Sequence, residues 1–252
     1  MKNQTLFDVT GKTVFVTGAS SGIGKAAATC LAECGAKVVA IARRENALKI
    51  WSQNTSGLTS FFSADISNSE KIKDIVSEIT SKEGDPDILI NAAGLNTREH
   101  ADDVTLDGWN KTLDLNLSTP FFMAQAVVEK MKEKQWGRII NYASLASRRA
   151  LPSSIAYGAS KGGIEQLTRA MAEAWSQFGV NVNAIAPGFF PTELTVPVFN
   201  DKERSIRNAK QTCIGRNGNL EDLDGPLLFL CSNASDYVTG QLIFVDGGFT
   251  AK

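Results

Sequence analysis

Tyr157 and Lys161 stand four residues apart in the stretch AYGASKGG, residues 156–163. On a helix, positions i and i+4 lie one above the other, so this spacing predicts an ammonium on the same face as a phenol. A cation there favours the phenolate and draws a reference pKa of about 10 towards neutrality. In a 252-residue chain with 3 tyrosines such a pair can also arise by chance. Its meaning therefore depends on its surroundings.

A second chemical signal is TGASSGIG, residues 17–24, in which Gly18, Gly22 and Gly24 form G-x-x-x-G-x-G directly after the apolar run TVFVT and before an Ala-rich segment. At the carboxyl end of a strand and the start of a helix, free amides and the helix dipole attract a pyrophosphate, and glycines let backbone and ligand approach closely. A tight strand-to-helix connection would use the same glycines. The spacing departs from the usual dinucleotide fingerprint G-x-G-x-x-G.

The elements that would carry these residues follow from periodicity. Short apolar, β-branched runs recur at 13–17, 37–42, 58–63, 87–91, 137–144, 181–186 and 241–246. Between them lie segments of helical periodicity, among them SSGIGKAAATCLAECG and SIAYGASKGGIEQLTRAMAEAWSQFG, each closing on a glycine. Near-continuous apolar strands alternating with helices predict an α/β fold: a doubly wound parallel sheet of about seven strands with helices on both faces. No linker or repeat interrupts the pattern, so residues 1–252 are expected to form a single domain. The pattern loosens only at about 188–218, which is expected to be a substrate lid.

Composition narrows the partners. Lys plus Arg (26) nearly balances Asp plus Glu (27), which gives no field for nucleic acid or an anionic membrane. The amino-terminal MKNQTLFDVTGK has no apolar signal core, and a cytoplasmic protein without a membrane span is expected. Cys30, Cys34, Cys213 and Cys231 lack CxxC spacing, and His100 is the single histidine, so no metal site is expected.

Taken in order, TGASSGIG, NAAG at 91–94, Ser144 at a strand end, YGASK at 157–161 and APG at 186–188 resemble the short-chain dehydrogenase/reductase family over nearly the whole chain. The resemblance implies a Rossmann fold, a nicotinamide cofactor and a catalytic set of Asn116, Ser144, Tyr157 and Lys161. Tyr157 would exchange the proton and Lys161 would favour its phenolate. Ser144 would polarise the carbonyl, and Asn116 would position a water in a proton relay. The same resemblance implies cofactor contacts from Gly18, Ser20, Ser21, Gly22, Ile23 and Gly24 in the turn. It adds Asp65 and Ile66 at the adenine, and Asn91 and Gly94 after the fourth strand. Tyr157, Lys161, Pro187, Gly188 and Thr192 would meet the nicotinamide and its ribose. NAAG carries Ala92 where the family usually has asparagine, which puts the support of that turn in question.

Family members that select NAD place an acid at the end of the second strand. Here Ala42 stands there, followed by Arg43 and Arg44, and a guanidinium suits the 2′-phosphate of NADP. NADP(H) is therefore expected over NAD(H), although Glu45 could serve a ribose instead. The run EDLDGPLLFLCSNASDYVTGQLIFVDGG looks most like gluconate 5-dehydrogenase-like members acting on sugar acids and polyols. Arg98, Arg148 and Arg149 follow strand ends and could hold a carboxylate, or could be solvated or paired with acids such as Glu99, Asp102 and Asp103. The expected function is hydride transfer between NADP(H) and a secondary alcohol or ketone of a small polar sugar acid, keto acid or ketose. A 3-oxoacyl-[acyl-carrier-protein] reductase is the alternative within enzymes, with Lys130, Lys132, Lys134 and Arg138 as a basic face for the carrier. An NADP-sensing regulatory module is the non-enzyme alternative. The family further implies a homotetramer.

Overall fold

The computed structural model describes residues 6–252; the first five residues of the stretch read for a signal core lie outside them. The seven strands are β1 (Thr13–Thr17), β2 (Lys37–Ala42), β3 (Leu58–Ser63), β4 (Ile88–Asn91), β5 (Gly137–Tyr142), β6 (Val180–Pro187) and β7 (Leu242–Val245). They form one parallel sheet in the order β3-β2-β1-β4-β5-β6-β7. Because the chain leaves β1 towards β2 on one side and returns to β4 on the other, the crevice at their carboxyl ends is the switch point where ligands bind in such sheets.

Successive side chains point to opposite faces, and each face has its own core. Val14, Val16, Val38, Ala40, Ile88 and Ile90 pack under α1 (Gly22–Glu33), Trp51 of α2 (Glu45–Asn54) and the helix near the carboxyl terminus. Phe15, Val39, Ile41, Leu89, Ile139 and Val182 pack under α3 (Ile72–Glu83), α5 (Thr119–Glu133) and α6 (Ile155–Trp175). α4 (Leu106–Leu113) runs into a π-helical turn at Asp114–Ser118 before α5.

The strand expected over 137–144 stops at Tyr142, because Ser144 caps a short turn at Leu145–Ser147 with its Oγ accepting from the Ala146 amide at 3.1 Å. Residues 188–218 include α7 (Val196–Phe199) and α8 (Lys202–Gln211), anchored by buried Phe190. α9 (Asp224–Cys231) then leads to β7. Among the described residues no helix is long and apolar enough to cross a membrane.

Candidate active site

A cleft of about 930 Å³ opens at the carboxyl ends of β1 and β4. On its nucleotide side the β1–α1 turn is held by close backbone contact. A β-carbon on Gly24 would stand 2.5 Å from the Gly18 carbonyl oxygen, and one on Gly18, whose φ is +69°, would stand 2.7 Å from Ala93. Any larger residue at either position would displace the turn. The Ser21 side chain makes no capping bond to the first turn of α1, and that turn carries no acid of its own. Its amides thus have no side-chain acceptor, and the residues fit a cofactor pyrophosphate.

Ser20, Ser21, Gly22, Ile23, Arg43, Arg44, Asp65, Ile66, Gly94, Pro187, Gly188 and Thr192 all line this cleft together with Gly18 and Gly24. Asp65 also accepts from the Ser67 amide at 3.0 Å, which holds its carboxyl below the usual range. Glu45 is not among the lining residues. The turn at Ala92 is supported from β1: Thr17 Oγ1 accepts from the amides of Ala92 and Ala93 at 3.1 and 3.2 Å.

On the chemical side, α6 presents Tyr157 and Lys161 one turn apart, with the lysine Nζ 5.7 Å from the phenol ring centroid. Lys161 is buried and its Nζ donates to the Tyr142 carbonyl at 2.7 Å. Burial pulls its pKa down to about 8. Desolvation pushes the Tyr157 phenol up, opposed by the hydrogen bond to Ser144 and by the positive charge of Arg98. In the chain alone, then, the phenol stands above its usual value rather than near neutrality. The sequence pointed to Lys161 as the cation that tunes it, whereas the stabilising partners here are Ser144 and Arg98. Ser144, Tyr157 and Lys161 face the cleft together.

Two expected residues do not face it. Asn91 points between the strands, its amide donating to Asn141 Oδ1 at 3.0 Å and to the Pro120 carbonyl at 3.2 Å, so its side chain secures β4 against β5 rather than touching a cofactor. Asn116 is buried in the π-turn behind the cleft. Its Oδ1 accepts from the Leu95 amide, and its Nδ2 donates to the Leu95 carbonyl, both at 2.8 Å, and to Ser160 Oγ at 3.1 Å. A β-carbon on Gly94 would be 3.3 Å from this Oδ1 and 3.8 Å from Lys161 Nζ, so Asn116 holds the loop after β4 against the lysine.

The three arginines separate. Arg148 and Arg149 turn away because both amides bond to the Leu145 carbonyl, winding the chain out of the cleft. Arg148 pairs with Glu165 at 2.7 Å, and Arg149 lies 5.8 Å over the Phe249 ring. Arg98 lines the cleft, with its backbone at φ +56°, a left-handed conformation that non-glycine residues rarely adopt and that clusters at functional sites. The Asn96 Oδ1 stabilises it by accepting from the Arg98 amide at 3.0 Å, and its Nη2 donates to the Leu194 carbonyl at 2.6 Å. Among the described residues no carboxylate lies within ion-pair distance of Arg98.

The four basic residues expected as a face for an acyl carrier divide between the interior and surface ion pairs. Arg138 is buried and paired with Asp236, while Lys130, Lys132 and Lys134 bond to Glu133, Glu129 and Asp87. Sequence reasoning missed Asn96, Ser154 (whose Oγ accepts from Asn96 Nδ2 at 3.2 Å), Glu193 on the cleft wall, and the Tyr142 carbonyl. Only the first left a signal, an asparagine two residues before a strained arginine, which is Asx-turn spacing.

A family model described as enoyl-(acyl carrier protein) reductase matches residues 18–250. A gluconate 5-dehydrogenase of Gluconobacter oxydans is 36% identical, with 100% of each chain covered. An NAD-dependent glycerol dehydrogenase of Listeria innocua is 38% identical over 98% of this chain and 96% of its own. The crystal structure of a gluconate 5-dehydrogenase from Burkholderia cenocepacia, in complex with NADP and tartrate, is 34% identical, covers 99% of both chains and superposes with a TM-score of 0.93. Likeness of this extent, in sequence along the whole chain and in fold across all seven strands, means that the chain belongs to the short-chain dehydrogenase/reductase family.

Proposed function

We propose that the protein is an NADP(H)-dependent oxidoreductase that interconverts a secondary hydroxyl and a ketone on a small sugar acid. The observation that carries this reading is one cleft that joins a helix N-terminus suited to phosphate, the Ser144–Tyr157–Lys161 group and an arginine without a carboxylate partner. Relatives named for sugar-acid oxidation and neighbours solved with NADP support it. Gly18 to Gly24, with Arg43 and Arg44, would hold the phosphates. Asp65 and Ile66 would meet the adenine, and Pro187, Gly188 and Thr192 the nicotinamide. When bound, the cofactor supplies or accepts the hydride.

In the reducing direction the Tyr157 hydroxyl gives its proton to the carbonyl oxygen, and Ser144 donates a hydrogen bond to the same oxygen as its charge develops. Lys161, fixed by the Tyr142 carbonyl, keeps a cation beside the phenol as the proton leaves. Asn116 acts through Leu95, keeping the loop that ends at Arg98 in register. Arg98 has one N–H on Leu194 and the rest of its fork for a substrate carboxylate. Residues 188–218 serve as the substrate lid of a single catalytic domain. A cytoplasmic homotetramer completes the reading; light scattering of the purified protein checks the assembly.

The test compares a keto-sugar acid such as 5-keto-D-gluconate with an uncharged ketose. Arg98→Ala should lower kcat/KM for the acid by roughly 10- to 100-fold more than for the ketose, the range of a charge-assisted bond, the loss with the ketose reporting the Arg98 charge that acts on Tyr157. Equal losses for both substrates would remove Arg98 from carboxylate recognition.

A further inference from the structure

The nucleotide end of the cleft already holds an anion, and that anion comes from the chain itself. Glu193, the residue after Thr192, reaches across from the 188–218 segment to the glycine turn. Its Oε1 accepts from Arg44 Nη1 at 2.9 Å and its Oε2 from Ser21 Oγ at 2.9 Å. The rest of the Arg44 fork is bound to the same turn, with Nε on Ser20 Oγ at 3.1 Å and Nη2 on Ser21 Oγ at 2.6 Å. Thr192 packs against the turn as well: a β-carbon on Gly22 would stand 3.3 Å from its Cβ. One carboxylate thus satisfies the arginine and the serine that a phosphate on the adenosine ribose would need, and it does so from the segment that borders the substrate.

We propose that Glu193 is a specificity-determining residue: its carboxylate occupies the 2′-phosphate subsite of Arg44, Ser20 and Ser21, and NADP(H) must displace it, freeing the 192–195 turn as it binds. The inference rests on the NADP(H) reading given above. Its chemistry is an exchange of one anion for another, a carboxylate of single charge for a phosphate monoester of nearly double charge, so Arg44 stays paired in both states. Arg44 and Glu193 are both more than half exposed, at 51% and 63% of their side chains. Exposed pairs of this kind are weak. The carboxylate therefore lowers affinity for the 2′-phosphate by a modest factor and leaves the site open to it. NADH has no group for the subsite and leaves Glu193 in place.

Equilibrium titration of the purified protein by fluorescence or calorimetry tests this, with NADPH, NADH and adenosine 2′,5′-bisphosphate as probes, in wild type, Glu193→Gln and Glu193→Ala. Thermal melts of each variant establish that the fold is retained. Both variants are expected to bind NADPH and the bisphosphate about 3- to 5-fold more tightly than wild type, with the Kd for NADH unchanged within twofold. Unchanged or weaker NADPH binding in both variants overturns the proposal. An equal gain for NADH overturns it too, since it would place Glu193 against the pyrophosphate or the lid at large. A wild type that binds NADH but neither 2′-phosphorylated probe would instead refute the NADP(H) reading on which the inference rests.

Discussion

Tyr157 carries the proton through its hydroxyl, which also bonds Ser144, and phenylalanine removes that oxygen while keeping the ring. Tyr157→Phe should cut turnover by about 10² to 10⁴-fold, as expected for a general acid, while NADPH binds with near wild-type affinity. Retention of a tenth of the activity would reassign the proton. Lys161 offers a pH signature. Its amine titrates at about 8 in the folded chain against a usual value of 10.5, so between those values the unfolded chain binds the extra proton. The contribution of this group to stability therefore rises as pH increases through that window, and the buried cation costs most below pH 8. Denaturant titrations of Lys161→Met and wild type should show the relative stability of the variant falling by on the order of 3 kcal/mol from pH 7 to pH 10.5. A constant difference would contradict the depressed pKa. At this scale the sequence revealed Ser144, Tyr157 and Lys161, because helical spacing and strand ends fix which side they face. It put the Asn91 side chain at the cofactor and left open which of Arg98, Arg148 and Arg149 turns inward, because the direction of a side chain at a strand end depends on hydrogen bonds made by its neighbours and the next turn.

The glycine turn, the loop after β4 and the π-turn behind it set the cleft as elements. Gly24 packs its α-carbon against the Gly18 carbonyl, and backbone cannot yield as a flexible side chain would. Gly24→Ala should weaken NADPH binding at least tenfold, with the circular dichroism spectrum unchanged and the melting temperature lowered by a few degrees. Wild-type affinity in that variant would mean that the turn does not hold the phosphates. Strands and helices were legible because period-2 and period-3.6 patterns report burial directly. The π-turn at Asp114–Ser118 was not, since its extra residue is paid for by contacts from Leu95 and Ser160 that lie far away in sequence. The departure at Ala92 was visible, but its remedy in Thr17, 75 residues earlier, was not.

For the whole molecule, a parallel sheet whose order reverses between β1 and β4 gathers residues from positions 18 to 204 along one edge. The alternation of apolar runs and helices was enough to foresee that sheet, and the ordered motifs were enough to foresee its chemistry. What the sequence could not show was the traffic across the cleft, where Arg44 meets Glu193 and Arg98 meets Leu194, because these contacts join segments about 100 to 150 residues apart. The assembled cleft is built for one reaction, the reduction of a sugar-acid ketone by NADPH. Its most direct test is the steady-state oxidation of NADPH and of NADH by the wild-type protein with 5-keto-D-gluconate, with the sugar-acid product identified by chromatography. Turnover with a kcat/KM at least about tenfold higher for NADPH than for NADH is the predicted result, the factor expected of one charge-assisted phosphate contact. Absence of a reduced sugar acid, or a preference for NADH, would contradict the account.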